Sequence, residues 1–257
     1  MSRGEFVAFQ ERIFRLHEAR RFLEALHELD ASVPLFPEKS SRLAYWRACL
    51  ESLAGQPDRA LAALRDGVSA GLWWNEEWLR SDPDLAGVRD LSGFEPLVAD
   101  MRSVRQRAAR TWPDRPEVIL LGTERRPPCG QIVALHMYGS SAAEAALPWE
   151  PATALGLAVV LPDSTQRQAD GDRCWDDEAV AARDVGLALE AARPKGGDAP
   201  VVLAGASQGA LRSITFAIER RPVDARGFIG IVPGAPDPDR LGAAIDHAVA
   251  RGFADGS

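Results

Sequence analysis

Val201-Val-Leu-Ala-Gly-Ala-Ser-Gln-Gly-Ala210 is the stretch on which the reading of this 257-residue chain turns. Four apolar residues form a short strand, and Ala210–Glu219 continues with helical periodicity. Between them lies Gly205-Ala-Ser-Gln-Gly209, a sharp strand-to-helix turn with a serine at its centre. Such a turn holds the central residue in a strained backbone and presents its hydroxyl above a sheet. Side chains at the two flanking glycines would collide with the neighbouring strand and helix. The stretch therefore predicts either a serine, Ser207, whose hydroxyl is held exposed at the top of a βα unit, or an incidental glycine-rich βα turn.

The chain around it repeats the same alternation. Val118–Leu121 and Ile132–Leu135 are apolar strands, and the turn-rich loop Gly122–Gly130 between them predicts an antiparallel hairpin. Leu157–Leu161 is a strand closed by Pro162. Asp176-Asp-Glu178 opens a helix with Ala181, Val185, Ala188, Leu189 and Ala192 on one face. Phe228–Val232 is a strand and Leu241–Ala250 a helix. This alternation predicts a largely parallel sheet covered by helices on both faces.

Before residue 112 the pattern is helical throughout. Residues 1–112 hold 16 basic and 17 acidic groups, whereas 113–257 hold 14 and 20. The break falls at Thr111-Trp-Pro-Asp-Arg-Pro116, whose prolines cannot continue a helix. Two domains are expected, 1–112 and 113–257. Within the first, Arg20–Leu26 is echoed by Gly55–Leu61 at an offset of 35, which places Ala25 on Ala60 and Leu29 on Leu64. The pattern resembles a degenerate tetratricopeptide repeat, which implies a protein partner for the helical half. Trp73, Trp74 and Trp78 read as helical core aromatics, and Arg102–Arg110 as a solvated helix face.

Composition narrows the function. A net charge of −7 and a pI near 5.2 disfavour a nucleic-acid partner. No apolar run approaches a membrane span, and the N-terminal residues lack a signal-peptide core. Cys49, Cys129 and Cys174 are an odd number without metal-ligand spacing, which fits a reducing, cytoplasmic setting. The sequence presents no metal cluster, phosphate loop or nucleotide fingerprint, so no cofactor is expected.

From Val118 onwards the chain resembles an α/β-hydrolase, nearest to the carboxylesterase, phospholipase and acyl-thioesterase branch. The likeness rests on Leu135-His-Met-Tyr-Gly139, on Leu161-Pro-Asp-Ser-Thr165 with Cys174-Trp-Asp176, and on Gly205-Ala-Ser-Gln-Gly209. It implies that Ser207 attacks an ester or thioester carbonyl to form an acyl-enzyme, with Gly205 and Gly209 shaping the elbow. It further implies an oxyanion hole made by the backbone N–H of Gln208 and that of Tyr138 or Met137. Met137 stands where the branch has glycine.

A serine nucleophile needs a base, and in this fold the chain order is Ser, acid, His. After Ser207 the only histidine is His247, which helical spacing puts about 120° away from the apolar face of Leu241, Ile245, Ala248 and Val249. Asp237 and Asp239 are candidate acids or plain turn residues. The chain ends at Arg251–Ser257, where the resemblance places the next strand. The expectation is a C-terminally truncated hydrolase, weak or inactive as it stands. The alternative is a helical-repeat interaction protein with a catalytically silent hydrolase-like half. Either way, Phe228–Val232 would be an apolar edge strand prone to self-association.

Overall fold

The computed structural model describes residues 3–122, 128–196, 199–235 and 237–250. The chain divides into two compact units, Met1–Trp112 with Gln168–Gly171, and Pro113–Arg167 with Asp172–Ser257.

The first unit is helical. Helices α1 (Arg3–Glu18), α2 (Phe22–Ser32), α3 (Ser40–Leu53) and α4 (Pro57–Ser69) follow one another with short turns, then α5 (Glu76–Ser81) and α6 (Phe94–Ala109). Ala25, Leu29, Ala60 and Leu64, paired by the 35-residue offset, are all fully buried. A small residue at each of two equivalent helix positions lets neighbouring helices approach closely. Trp73 and Trp74 are core residues, each 1% exposed, yet they lie in the α4–α5 connection rather than on a helix. Trp74 bridges to Ala169, and its indole N–H donates to the Ser41 carbonyl at 3.0 Å. Spacing alone could not separate a buried extended segment from a helix face. In α6, Arg102 pairs with Glu76 and Arg105 lies over the Trp73 ring.

The second unit is a five-stranded sheet, β1 (Val118–Leu121), β2 (Gly130–Leu135), β3 (Leu157–Pro162), β4 (Val201–Ser207) and β5 (Gly227–Pro233), in the order β1-β3-β2-β4-β5. All neighbours are parallel except β1, which runs antiparallel to β3. The expected β1–β2 hairpin is thus corrected: β3 lies between the two. Five of the six residues of β3 are buried, whereas every residue of β1 is only half-buried. A strand buried along its length needs ladder partners on both sides, so β3 sits inside and β1 takes the edge. Residues 123–127 of the connecting loop lie outside the described residues.

Period-two alternation splits the strand residues between two cores. Ile132, Ala134, Val159, Leu161 and Ala204 pack with Ala142 and Ala145 of α7 (Ala142–Trp149). Val133, Leu135, Val160, Val201 and Leu203 pack with Ala181, Val185, Ala188 and Ala192 of α8 (Glu178–Gly196) and with Phe216 and Ala217 of α9 (Gln208–Glu219). The last element is α10 (Pro238–Ala250). On β5 Ile229 and Ile231 remain 43% and 48% exposed. Among the described residues no helix is long and apolar enough to cross a membrane.

Candidate active site

Ser207 closes β4 and precedes the first residue of α9, with φ 51° and ψ −120°. A non-glycine residue in this region carries about 1–3 kcal/mol of backbone strain, and the surrounding chain fixes it there. A Cβ on Gly205 would stand 2.5 Å from the Gly209 carbonyl carbon, and one on Gly209 would stand 2.6 Å from the His136 carbonyl oxygen. The two glycines therefore let the helix start fold back onto its own strand and onto the end of β2. Gly234 N–H donates to the Ser207 carbonyl at 3.0 Å, and a Cβ on Gly234 would lie 3.2 Å from the Ser207 hydroxyl. The turn after β5 thus holds Ser207 while leaving room at its oxygen.

Gln208 is the first residue of α9, so its N–H has no carbonyl partner within the helix. Its side chain ties in a second segment: Trp175 N–H donates to Gln208 Oε1 at 2.8 Å, and Gln208 Nε2 donates to Asp176 at 2.6 Å. The fully buried Trp175 donates its indole N–H to the His136 carbonyl at 2.9 Å. Met137 and Tyr138 follow on the loop after β2, each 40% exposed. A turn closed by Ser140 N–H on the Met137 carbonyl, and Gly139 N–H donating to the Arg173 carbonyl, shape this loop. The segments bearing Ser207, Gln208, Met137, Tyr138 and Trp175 are in this way brought together.

His136 is 1% exposed and its ring lies 4.7 Å from that of Trp175. Nε2 accepts from the Ser164 N–H at 3.2 Å and Nδ1 faces the Met137 carbonyl at 2.8 Å. Burial lowers its pKa to about 4, against opposing raises from the Met137 carbonyl and Asp163. With both nitrogens engaged and the ring neutral, His136 holds the loop rather than receiving a proton from serine.

The remaining candidates lie just before and on α10. Asp237 accepts the Arg240 N–H at 2.9 Å and caps α10, and Asp239 is exposed in the first turn of that helix. His247 is exposed on α10. Among the described residues, the Ser207 hydroxyl makes no hydrogen bond to a histidine.

Arg212 was not legible as a site residue from the sequence. Its guanidinium donates to the carbonyls of Trp175 and Asp176, both at 2.7 Å, and pairs with Glu178 at 3.1 Å. Its signal was only its place one helical turn after Gln208. A buried ion pair, Arg173 with Asp163 at 2.9 Å, ties the loop after β3 to the segment before Trp175. Asp163 also accepts the Ala142 N–H at the start of α7, at 2.5 Å.

Residues 6–110 match the family described as A/B hydrolase-like, N-terminal domain. No curated protein matches the chain. Among solved structures, an uncharacterized protein from Bacillus cereus covers 94% of this chain and 77% of its own, at 19% identity and a TM-score of 0.41. A monoacylglycerol lipase from Paleococcus ferrophilus covers 54% of this chain and 51% of its own, at 21% identity and 0.37. A phospholipase/carboxylesterase from Dyadobacter fermentans covers 55% and 81%, at 16% identity and 0.37. The strand order, the covered parallel sheet and the match over residues 6–110 give an α/β-hydrolase-like fold preceded by a helical N-terminal domain.

Proposed function

We propose, from the premise that residues 6–110 match the N-terminal domain of A/B hydrolase-like proteins, that this chain is a serine hydrolase of carboxylic esters or thioesters. Its nucleophile is Ser207. The observation that carries the reading is the φ of 51° at Ser207 between two glycines that tolerate no Cβ. Strain of this kind persists only where the surroundings over-determine it, and it concentrates at reactive residues.

In this reading the Ser207 oxygen adds to the substrate carbonyl, and the serine proton passes through water to the departing alkoxide or thiolate as the C–O or C–S bond breaks, which leaves an acyl-serine and releases an alcohol or thiol. Water then hydrolyses that ester. The Gln208 N–H and the N–H of Tyr138 or Met137 receive the developing oxyanion, each contributing about 3 kcal/mol to its stabilisation. The Gln208 side chain, held to Trp175 and Asp176, fixes the first donor, and the His136 contacts fix the loop that bears the second. His136, with both nitrogens engaged, is not assigned as the base, Asp237 caps a helix, and slow turnover is the expectation.

One observation favours a competing reading, a helical-repeat interaction protein with a silent hydrolase-like half: the Ser207 hydroxyl has no histidine partner among the described residues. A fluorophosphonate probe separates the two. Covalent labelling that maps to Ser207 and disappears in Ser207→Ala supports the hydrolase. Absence of labelling, with an unchanged fold by circular dichroism, supports the interaction protein. Ester or thioester hydrolysis that survives Ser207→Ala overturns the assignment of the nucleophile.

A further inference from the structure

In the helical unit three metal-ligating side chains well separated in sequence converge, and a histidine borders them through one of the three. Cys49 lies on α3, Asp82 and Asp84 follow α5, and His17 is in the last turn of α1. One ligand atom each of Cys49, Asp82 and Asp84 lies within 4.8 Å of the other two. Cys49 Sγ faces Asp82 Oδ2 at 3.9 Å, and His17 Nε2 meets Asp84 Oδ2 at 2.9 Å.

We propose that His17, Cys49, Asp82 and Asp84 form a binding site for a zinc-like divalent cation. The site is independent of the hydrolase reading. The donor set is the mixed nitrogen, sulfur and oxygen set that zinc takes. With metal–ligand distances near 2.0 Å for oxygen or nitrogen and 2.3 Å for sulfur, the edges of a tetrahedron are about 3.3 Å (O···N) and 3.5 Å (S···O). The His17–Asp84 and Cys49–Asp82 distances each lie about 0.4 Å from those edges, whereas His17 stands outside the three whose ligand atoms are all within 4.8 Å of one another, so its ring must swing inward to complete the tetrahedron.

Neighbouring groups orient the ligands. Tyr45, one turn before Cys49 on α3, donates its hydroxyl to Asp82 Oδ2 at 2.8 Å, and the Asp84 N–H donates to Asp82 Oδ1 at 3.0 Å. These bonds hold the Asp82 carboxylate in one orientation, as outer-shell partners of ligands do. Arg89 donates to the Asp82 carbonyl oxygen, not to its carboxylate. On binding, the Cys49 thiol loses its proton to the buffer as the sulfur–metal bond forms. Cys49 is buried and Asp82 and Asp84 are half-buried, whereas the His17 side chain is 39% exposed and gives an entry side.

The test uses the full chain stripped with a chelator and titrated with Co²⁺. The expected result is a thiolate-to-cobalt charge-transfer band in the near ultraviolet, saturating at one ion per chain and displaced by Zn²⁺. The band is lost in Cys49→Ser and kept in Cys129→Ser. Because Cys49 is buried, His17→Gln and Asp84→Asn provide variants at the accessible side. Each is expected to weaken Co²⁺ binding at least ~10-fold with an unchanged far-ultraviolet spectrum. A wild-type chain without the band, a band that persists in Cys49→Ser, or unchanged affinity in both accessible-side variants overturns the site.

Discussion

The Ser164 N–H donates to Nε2 of His136 at 3.2 Å, and this bond decides where the imidazole keeps its proton. An N–H needs a lone pair, so Nε2 is bare and Nδ1 carries the hydrogen, facing the Met137 carbonyl at 2.8 Å. One ring thus fastens the loop after β3 to the loop after β2.

Neutral His136 makes stability depend on pH. Its folded pKa of about 4 lies below the ordinary value of about 6.5, so the unfolded chain binds the extra proton first. The contribution is complete above pH ~6.5 and is lost as pH falls towards about 4, amounting to on the order of 3 kcal/mol. Urea midpoints measured across this window should fall for the wild type and fall less for His136→Gln. Equal slopes would mean that other groups set the dependence.

Gly209→Ala should be costly. The new Cβ meets backbone oxygens of β2 and the following residue, which have no free rotamer to move. A loss on the order of 3 kcal/mol is expected, with a slower fluorophosphonate reaction. Gly227→Ala, where nothing lies within 4 Å, is the neutral control. Similar denaturation midpoints for the two variants would contradict the close approach.

Val232 has φ 44° although it is β-branched and 81% exposed. It immediately precedes Pro233, the register partner of Ser207. Val232→Gly removes the strain at little cost in burial and should raise stability by about 1 kcal/mol in chemical denaturation. Destabilisation would show that the valine side chain makes contacts worth more than its strain.

Strand β5 presents Ile229 and Ile231 on the face opposite Gly230, which packs against Ile214 of α9. An edge strand with exposed isoleucines is a template for pairing with another chain. The wild type should self-associate in light scattering at micromolar concentration, and Ile231→Lys should reduce it. A monodisperse wild-type monomer would refute the expectation.

Much of the fold was written locally. The alternation in Ile132-Val-Ala-Leu135 and Leu157–Leu161, and the spacing of Ala181, Val185, Ala188 and Ala192, each fix an element and its buried face within a few residues. The elbow is local too, since the glycines of Gly205-Ala-Ser-Gln-Gly209 flank the residue they serve. Trp73 and Trp74 mark the limit: their burial follows from their chemistry, but their extended conformation depends on Ala169, far along the chain.

The sequence by itself determined the five strands of the main sheet, the helices that follow them and the serine turn, because backbone periodicity and steric freedom act over short distances. Tertiary structure alone decided the neighbour of β1, since a ladder partner is chosen by burial across the whole sheet. It also decided the proton position on His136, which depends on an N–H 28 residues away. The same is true of Cys49, Asp82 and Asp84, whose spacing follows no ligand motif and whose donors, with His17 bordering them, come together only when the helical unit packs.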